Sequence, residues 1–119
     1  GRGGGLVAGV EPVVRILFVC GRNQWRSPTA EALCAGLSGI EARSCGVNPD
    51  AETPASADLV EWAEHIYVME KTHQAKLQRL FGAQLRAKRI TCLAIPDQYQ
   101  YMQPELVNVL RRKLPFLAT

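Results

Sequence analysis

The stretch VVRILFVCGRNQWRSPTAEAL, residues 13–33, decides the fold. Its first eight residues are mostly apolar and rich in β-branched side chains, the pattern of a strand buried on both faces within a parallel sheet. Gly21 and Asn23 stop the run. Beyond Ser27-Pro28-Thr29, the apolar positions Ala30, Leu33, Cys34 and Leu37 recur at helical spacing. Ser27 is placed as the N-cap, Pro28 at the first helical position and Gly39 just past the end.

The same alternation continues along the chain. IEARSC, residues 40–45, is a short second strand closed by Gly46, and residues 47–55 form a loop. Ser56 caps a short helix, ADLVEWAE, which leads into a third strand, HIYVME, at 65–70. KTHQAKLQRLFG is amphipathic, presents Leu77, Leu80 and Phe81 inward, and ends at Gly82. RITCLAIP, residues 89–96, is the fourth strand. After a Tyr-rich loop, Pro104 opens PELVNVLRRKL, with basic residues at the end where the helix dipole favours them. Strand and helix alternate four times, which predicts an α/β fold with a parallel sheet, right-handed crossovers and three α/β/α layers.

The chain's 119 residues suffice for one domain, expected over residues 13–119 behind a Gly-rich flexible leader at 1–12. The net charge of +3 is far from the dense cationic blocks of a nucleic-acid arm. No apolar run approaches the ~18 residues needed to span a bilayer. Nucleic-acid and membrane partners are therefore not expected. The four cysteines are too widely spaced for a zinc site or a secreted disulfide scaffold, so no metal or cofactor is expected. A cytoplasmic location is the default. The basic residues Arg86, Lys88, Arg89, Arg111, Arg112 and Lys113 read as a solvated surface. Trp62 reads as a core or hinge anchor. His65 and His73 are assigned ordinary surface or boundary roles, and Glu70, ending the third strand near the pocket side, a structural role or that of orienting loop groups.

In a parallel α/β sheet, ligands sit beyond the carboxyl ends of the strands. Cys20 ends the first strand and Ser27 begins the first helix, so Gly21, Arg22, Asn23, Gln24 and Trp25 form a tight turn between them. Converging backbone amides and a helix N-terminus there make an anion site, for phosphate or sulfate. The same field stabilises a thiolate and makes Cys20 a nucleophile. Arg26 offers a planar fork to two phosphate oxygens, and the Ser27 hydroxyl can donate to the sulfur. Asp97 follows the fourth strand on the correct side of the sheet to act as an acid. Tyr99 and Tyr101 could flank an aromatic substrate ring or equally pack the loop onto the last helix.

RILFVCGRNQWRSPTAEAL resembles the active-site region of the low-molecular-weight protein tyrosine phosphatases, in particular a compact bacterial branch. IPDQYQYMQPEL at 95–106, SCGV at 44–47 and HIYVMEK at 65–71 extend the resemblance from about Arg15 to Leu114. It implies the strand order 2-1-3-4 and hydrolysis of a phosphomonoester, phosphotyrosine first, without a metal. In the implied mechanism Cys20 forms a cysteinyl-phosphate, Arg26 and loop amides bind the equatorial oxygens, and Asp97 serves as acid and then base. Asn23 matches an Asn that holds the turn by hydrogen bonds, including one to the serine at Ser27.

Some positions depart from the family pattern. Arg22 replaces a glycine, Trp25 stands where some members have a second cysteine, Gln98 replaces a proline and Gln103 an aspartate. The chain also lacks a longer segment between the second and third strands. Two alternatives follow. One is thiol-dependent arsenate reduction, with Cys34, Cys45 and Cys92 as relay candidates and Cys45 nearest the site. The other is a non-catalytic protein that binds a phosphorylated partner.

Overall fold

The computed structural model describes residues 13–117, so the leader expected at 1–12 lies outside them. Four strands form one sheet: β1 (Val14–Cys20), β2 (Ile40–Gly46), β3 (His65–Val68) and β4 (Arg89–Cys92). All pairings are parallel and the order is 2-1-3-4. Helices α1 (Arg26–Cys34), α2 (Ala57–Trp62), α3 (Lys71–Phe81) and α4 (Pro104–Lys113) supply the crossovers and the closing element. A short 3-10 turn, Pro115–Leu117, follows α4.

The period-two pleat of β1 sorts its side chains into two cores. Ile16, Phe18 and Cys20 pack on one face with Ala30 and Cys34 of α1 and Leu106 and Leu110 of α4. Leu17 and Val19 pack on the other with Val60 of α2, Ile66 and Val68 of β3, and Leu77 of α3. Phe18, Leu17 and Val19 are fully buried, each contributing roughly 1.5–3 kcal/mol. From Ile16 to Cys20 the strand has water on neither side, which is why ILFVC is apolar at every position, while Val14 and Arg15 before it lie nearer the surface.

Several boundaries differ from the sequence expectation. Helix α1 starts at Arg26 with Trp25 in the cap position and no side-chain cap, so Ser27 is a helical residue. It ends at Cys34, short of Leu37, because Gly36 already turns the backbone to φ 85°. β4 stops at Cys92 because Ala94 takes a left-handed φ of 55°. Backbone bonds from Leu93 to Val68 and from Ile95 to Met69 nevertheless carry the ladder on past that kink.

Leu80 does not face inward. It is 58% exposed, while Leu77 is buried. At 3.6 residues per turn, Leu80 lies about 60° from Leu77 on the side opposite Phe81, and only the Leu77 and Phe81 side meets the sheet. Ser56 does cap α2, accepting from the Leu59 amide at 3.2 Å. Trp62 is an anchor, half-buried beneath the Arg43 guanidinium at 4.3 Å. No helix among the described residues is long and apolar enough to cross a membrane.

Candidate active site

The turn after β1 is shaped by where its carbonyls go. Those of Cys20, Gly21 and Arg22 accept from the amides of Val47, Asn48 and Glu52 at 3.0, 2.9 and 3.1 Å. In a trans peptide the N–H points opposite to the C=O. With three carbonyls drawn outward to the 47–52 loop, the following amides turn to the inside. The Asn23 amide accordingly reaches the Cys20 sulfur at 3.2 Å. Asn23 completes the turn at φ 57°, a conformation that asparagine tolerates better than most residues. Gly46 lies directly beneath, where a Cβ would come within 2.5 Å of the Gly21 carbonyl and 2.9 Å of the Asn23 nitrogen.

A buried polar chain supports the sulfur from below. Asn23 Nδ2 donates to Ser27 Oγ at 3.0 Å and to Ser44 Oγ at 2.9 Å, and Ser44 donates on to a Glu31 carboxylate oxygen. Ser27 Oγ lies 3.0 Å from Cys20 Sγ and 3.3 Å from the Cys45 carbonyl. Its single proton can serve either. With the sulfur ionised, the charge-assisted bond to sulfur is the stronger.

Arg26 is 4% exposed. Its Nη1 donates to Glu70 and, at 2.8 Å, to the Ile95 carbonyl, while its Nε lies 3.7 Å from Asp97 Oδ1. The left-handed Ala94 precedes the Ile95 carbonyl that holds the guanidinium. Both hydrogen bonds found for this group among the described residues use Nη1. The Nε–Nη2 edge therefore remains for two oxygens of an anion. Asp97 is exposed at the mouth of the cavity.

A second part of the wall comes from the start of α3. Glu70 and His73 form a capping box: the Glu70 carboxylate accepts the His73 amide, and His73 Nδ1 accepts the Glu70 amide at 3.1 Å. His73 is buried, and its pKa falls to about 4, chiefly through burial and then through the Arg26 charge. The ring is thus neutral near pH 7 with its proton on Nε2. Lys76, one turn on, donates to Asn48 Oδ1 at 2.9 Å.

Cys20, Gly21, Arg22, Gln24, Trp25 and Arg26 line one cavity of about 300 Å³ together with Asp97. Asn23 and Ser27 lie beneath it, within the buried chain described above. Arg22 stands at the rim, paired with Asp50 at 3.3 Å, and Trp25 is 41% exposed beside it. Tyr99 and Tyr101 are not at this cavity. Tyr99 packs against the core, and Tyr101 is exposed over a separate groove beside Pro28 and Glu31. The cavity wall also contains Asn48, Glu70, Thr72, His73 and Lys76. Of these, His73 corrects the surface role read from sequence, because a histidine at the third position of a helix is not the Glu or Gln that signals a capping box. Asn48 and Lys76 carry no local pattern that would have singled them out.

The candidate relay thiols are poorly placed. Cys45 packs on the sheet face opposite Cys20, and burial followed by the Cys20 charge pushes its thiol up to about 12. Burial and then Glu31 push Cys34 up to about 11. Cys92 packs at the margin of the same core as Cys45.

Comparison with solved structures bears on this geometry. The YwlE arginine phosphatase from Geobacillus stearothermophilus matches with a TM-score of 0.67 at 21% identity, over 88% of this chain and 88% of that one. The low-molecular-weight protein tyrosine phosphatase from T. tengcongensis gives 0.67 at 18% identity, over 88% and 95%. Wzb from Vibrio vulnificus, solved with benzylphosphonate, gives 0.67 at 20% identity, over 89% and 95%. The chain has the low-molecular-weight phosphatase fold. Among these structures that fold is carried by an arginine phosphatase and a protein tyrosine phosphatase. No protein-family model and no curated protein sequence matches the chain.

Proposed function

We propose that the chain hydrolyses phosphomonoesters, phosphotyrosine foremost, through a cysteinyl-phosphate. The observation that carries this reading is the convergence of Cys20 Sγ, the free edge of Arg26 and the Asp97 carboxyl on one cavity. The Cys20 thiolate attacks phosphorus in line, and the phosphorus–oxygen bond to the leaving group breaks. Protonated Asp97 gives its proton to the departing oxygen. Arg26 and the inward amides hold the three equatorial oxygens, where charge is spread in the transition state. In the second step ionised Asp97 takes a proton from water, the water oxygen bonds to phosphorus, and the sulfur–phosphorus bond breaks to return the thiolate. Ser27 and Asn23 stabilise that leaving sulfur.

No metal or cofactor enters this scheme. The four unpaired cysteines support a cytoplasmic setting. An arsenate-reducing relay through Cys45 is disfavoured by its place on the other face of the sheet. The test is hydrolysis of p-nitrophenyl phosphate and a phosphotyrosyl peptide, with phosphoarginine assayed beside them because a neighbour of the same fold is an arginine phosphatase. Cys20→Ser is expected to abolish turnover. Asp97→Asn should lower it by about 10²–10⁴-fold while vanadate still binds. Equal residual rates in all three proteins would leave a phosphate-binding protein without catalysis.

A further inference from the structure

The cavity has two unlike flanks. On one side Arg26 is matched by carboxylates, with Glu70 on Nη1 and Asp97 near Nε. On the other, Lys76 forms no ion pair among the described residues. Its one hydrogen bond there, to Asn48 Oδ1, occupies one of three ammonium donors. Arg22, the other cation at the mouth, is already paired with Asp50.

Two further donors lie beside Lys76. A Cβ built on Gly21 would sit 3.4 Å from Asn48 Nδ2 and 3.7 Å from His73 Nε2, so both groups border the phosphate loop at that glycine. His73 Nε2 carries the ring's proton, because Nδ1 accepts from the Glu70 amide. The nearest carboxylate, Glu70 Oε2, is 3.9 Å from it and engaged by Arg26. The Lys76 charge acts on His73, which places the two on one face of α3. A cation without a counter-charge and two neutral N–H donors thus edge the loop at Gly21.

We propose that Lys76, Asn48 and His73 form a subsite for a second anionic group, and that the preferred substrate is a phosphomonoester bearing a carboxylate or a further phosphate near its phosphoryl group. This rests on the phosphatase reading above. The second anion comes either from an acidic neighbour in a phosphorylated polypeptide or from the substrate molecule itself.

The experiment compares two matched pairs: 3-carboxyphenyl phosphate against phenyl phosphate, and a phosphotyrosyl peptide with Glu neighbours against the same peptide with Gln. Values of kcat/KM are measured for wild type, Lys76→Gln and Lys76→Arg. Wild type should favour the acidic member of at least one pair by about fivefold at low salt, as expected of one partly exposed charge contact. The preference should fall to about one in Lys76→Gln, persist in Lys76→Arg, and shrink with added salt. Preference in the small pair points to the substrate's own group, and preference in the peptide pair to an acidic neighbour. No preference in wild type, or one that survives Lys76→Gln, overturns the subsite. Calorimetric binding of the same pairs to Cys20→Ser gives the same ratio without turnover. Loss of hydrolysis with the binding preference kept would therefore count against the phosphatase reading alone.

Discussion

Arg26 and Glu70 meet through a single guanidinium nitrogen, Nη1, and that choice of atom orients the rest of the group. Glu70 holds the Arg26 side chain by one corner and leaves Nη2, and Nε at 3.7 Å from Asp97, without a hydrogen bond among the described residues. Replacing Glu70 with Ala leaves only the Ile95 carbonyl on Nη1. We expect kcat/KM for p-nitrophenyl phosphate to fall by about 10–100-fold, the scale at which misplacement by about 1 Å acts. Glu70→Gln keeps an acceptor and should lose less. Equal losses in the two variants would show that charge, not orientation, is what Glu70 supplies.

Asn23 combines a left-handed backbone with two hydrogen bonds donated by its side chain. Asn23→Gly relieves the backbone and loses the bonds, whereas Asn23→Ala loses both advantages. The alanine variant should be less stable than the glycine variant by about 1–2 kcal/mol in urea denaturation. Both should react more slowly with iodoacetamide at Cys20, since the amide and hydroxyl that face the sulfur lose their support.

Gly46 admits no side chain. A methyl there would meet the Gly21 carbonyl at 2.5 Å, Ala51 Cβ at 2.7 Å and the Asn23 nitrogen at 2.9 Å. Two of these atoms belong to the phosphate loop itself. Gly46→Ala is expected to cost about 1–3 kcal/mol in denaturant unfolding. It should also weaken vanadate binding more than that loss of stability alone would, because the loop must move to accommodate the methyl.

His73 makes the fold sensitive to mild acid. Its pKa is about 4 in the folded chain against 6.5 in the absence of structure. Between those values the unfolded chain binds more protons, so stability is complete above about pH 6.5 and is lost as pH falls toward 4. Melting temperatures measured from pH 7 to pH 4 should decline in wild type. The decline should be shallower in His73→Gln, whose side chain does not titrate.

How far the site was legible depended on whether a residue's signal was local. The strand VVRILFVC, the turn after it and the reach of Asp97 across the sheet all follow from apolar runs and from the rule that sites lie at strand ends. Ser27 was found, yet its hydroxyl serves the Cys20 sulfur rather than capping α1, because a Ser-Pro start looks the same for both uses. Leu80 satisfied helical periodicity, but the sequence does not say how wide the sheet beneath α3 is. Tyr99 and Tyr101 stand close to Asp97 in sequence, but the bend at Met102, with φ 58°, and its bond to Thr29 accompany a loop that runs over α1 instead. Lys76 and Asn48 lie 28 positions apart and meet only once β1 and β3 have paired.

The bond from Asn23 to Ser44 joins the turn after the first strand to the middle of the second. The two residues are 21 positions apart, so no local turn can form that bond. Until β2 pairs with β1, the Asn23 side chain lacks the Ser44 acceptor and the Ser27 hydroxyl lacks the Cys45 carbonyl. The surroundings of the Cys20 sulfur are therefore set by the pairing of β1 with β2, so a lesion that loosens β2 should disturb them without touching Cys20 itself.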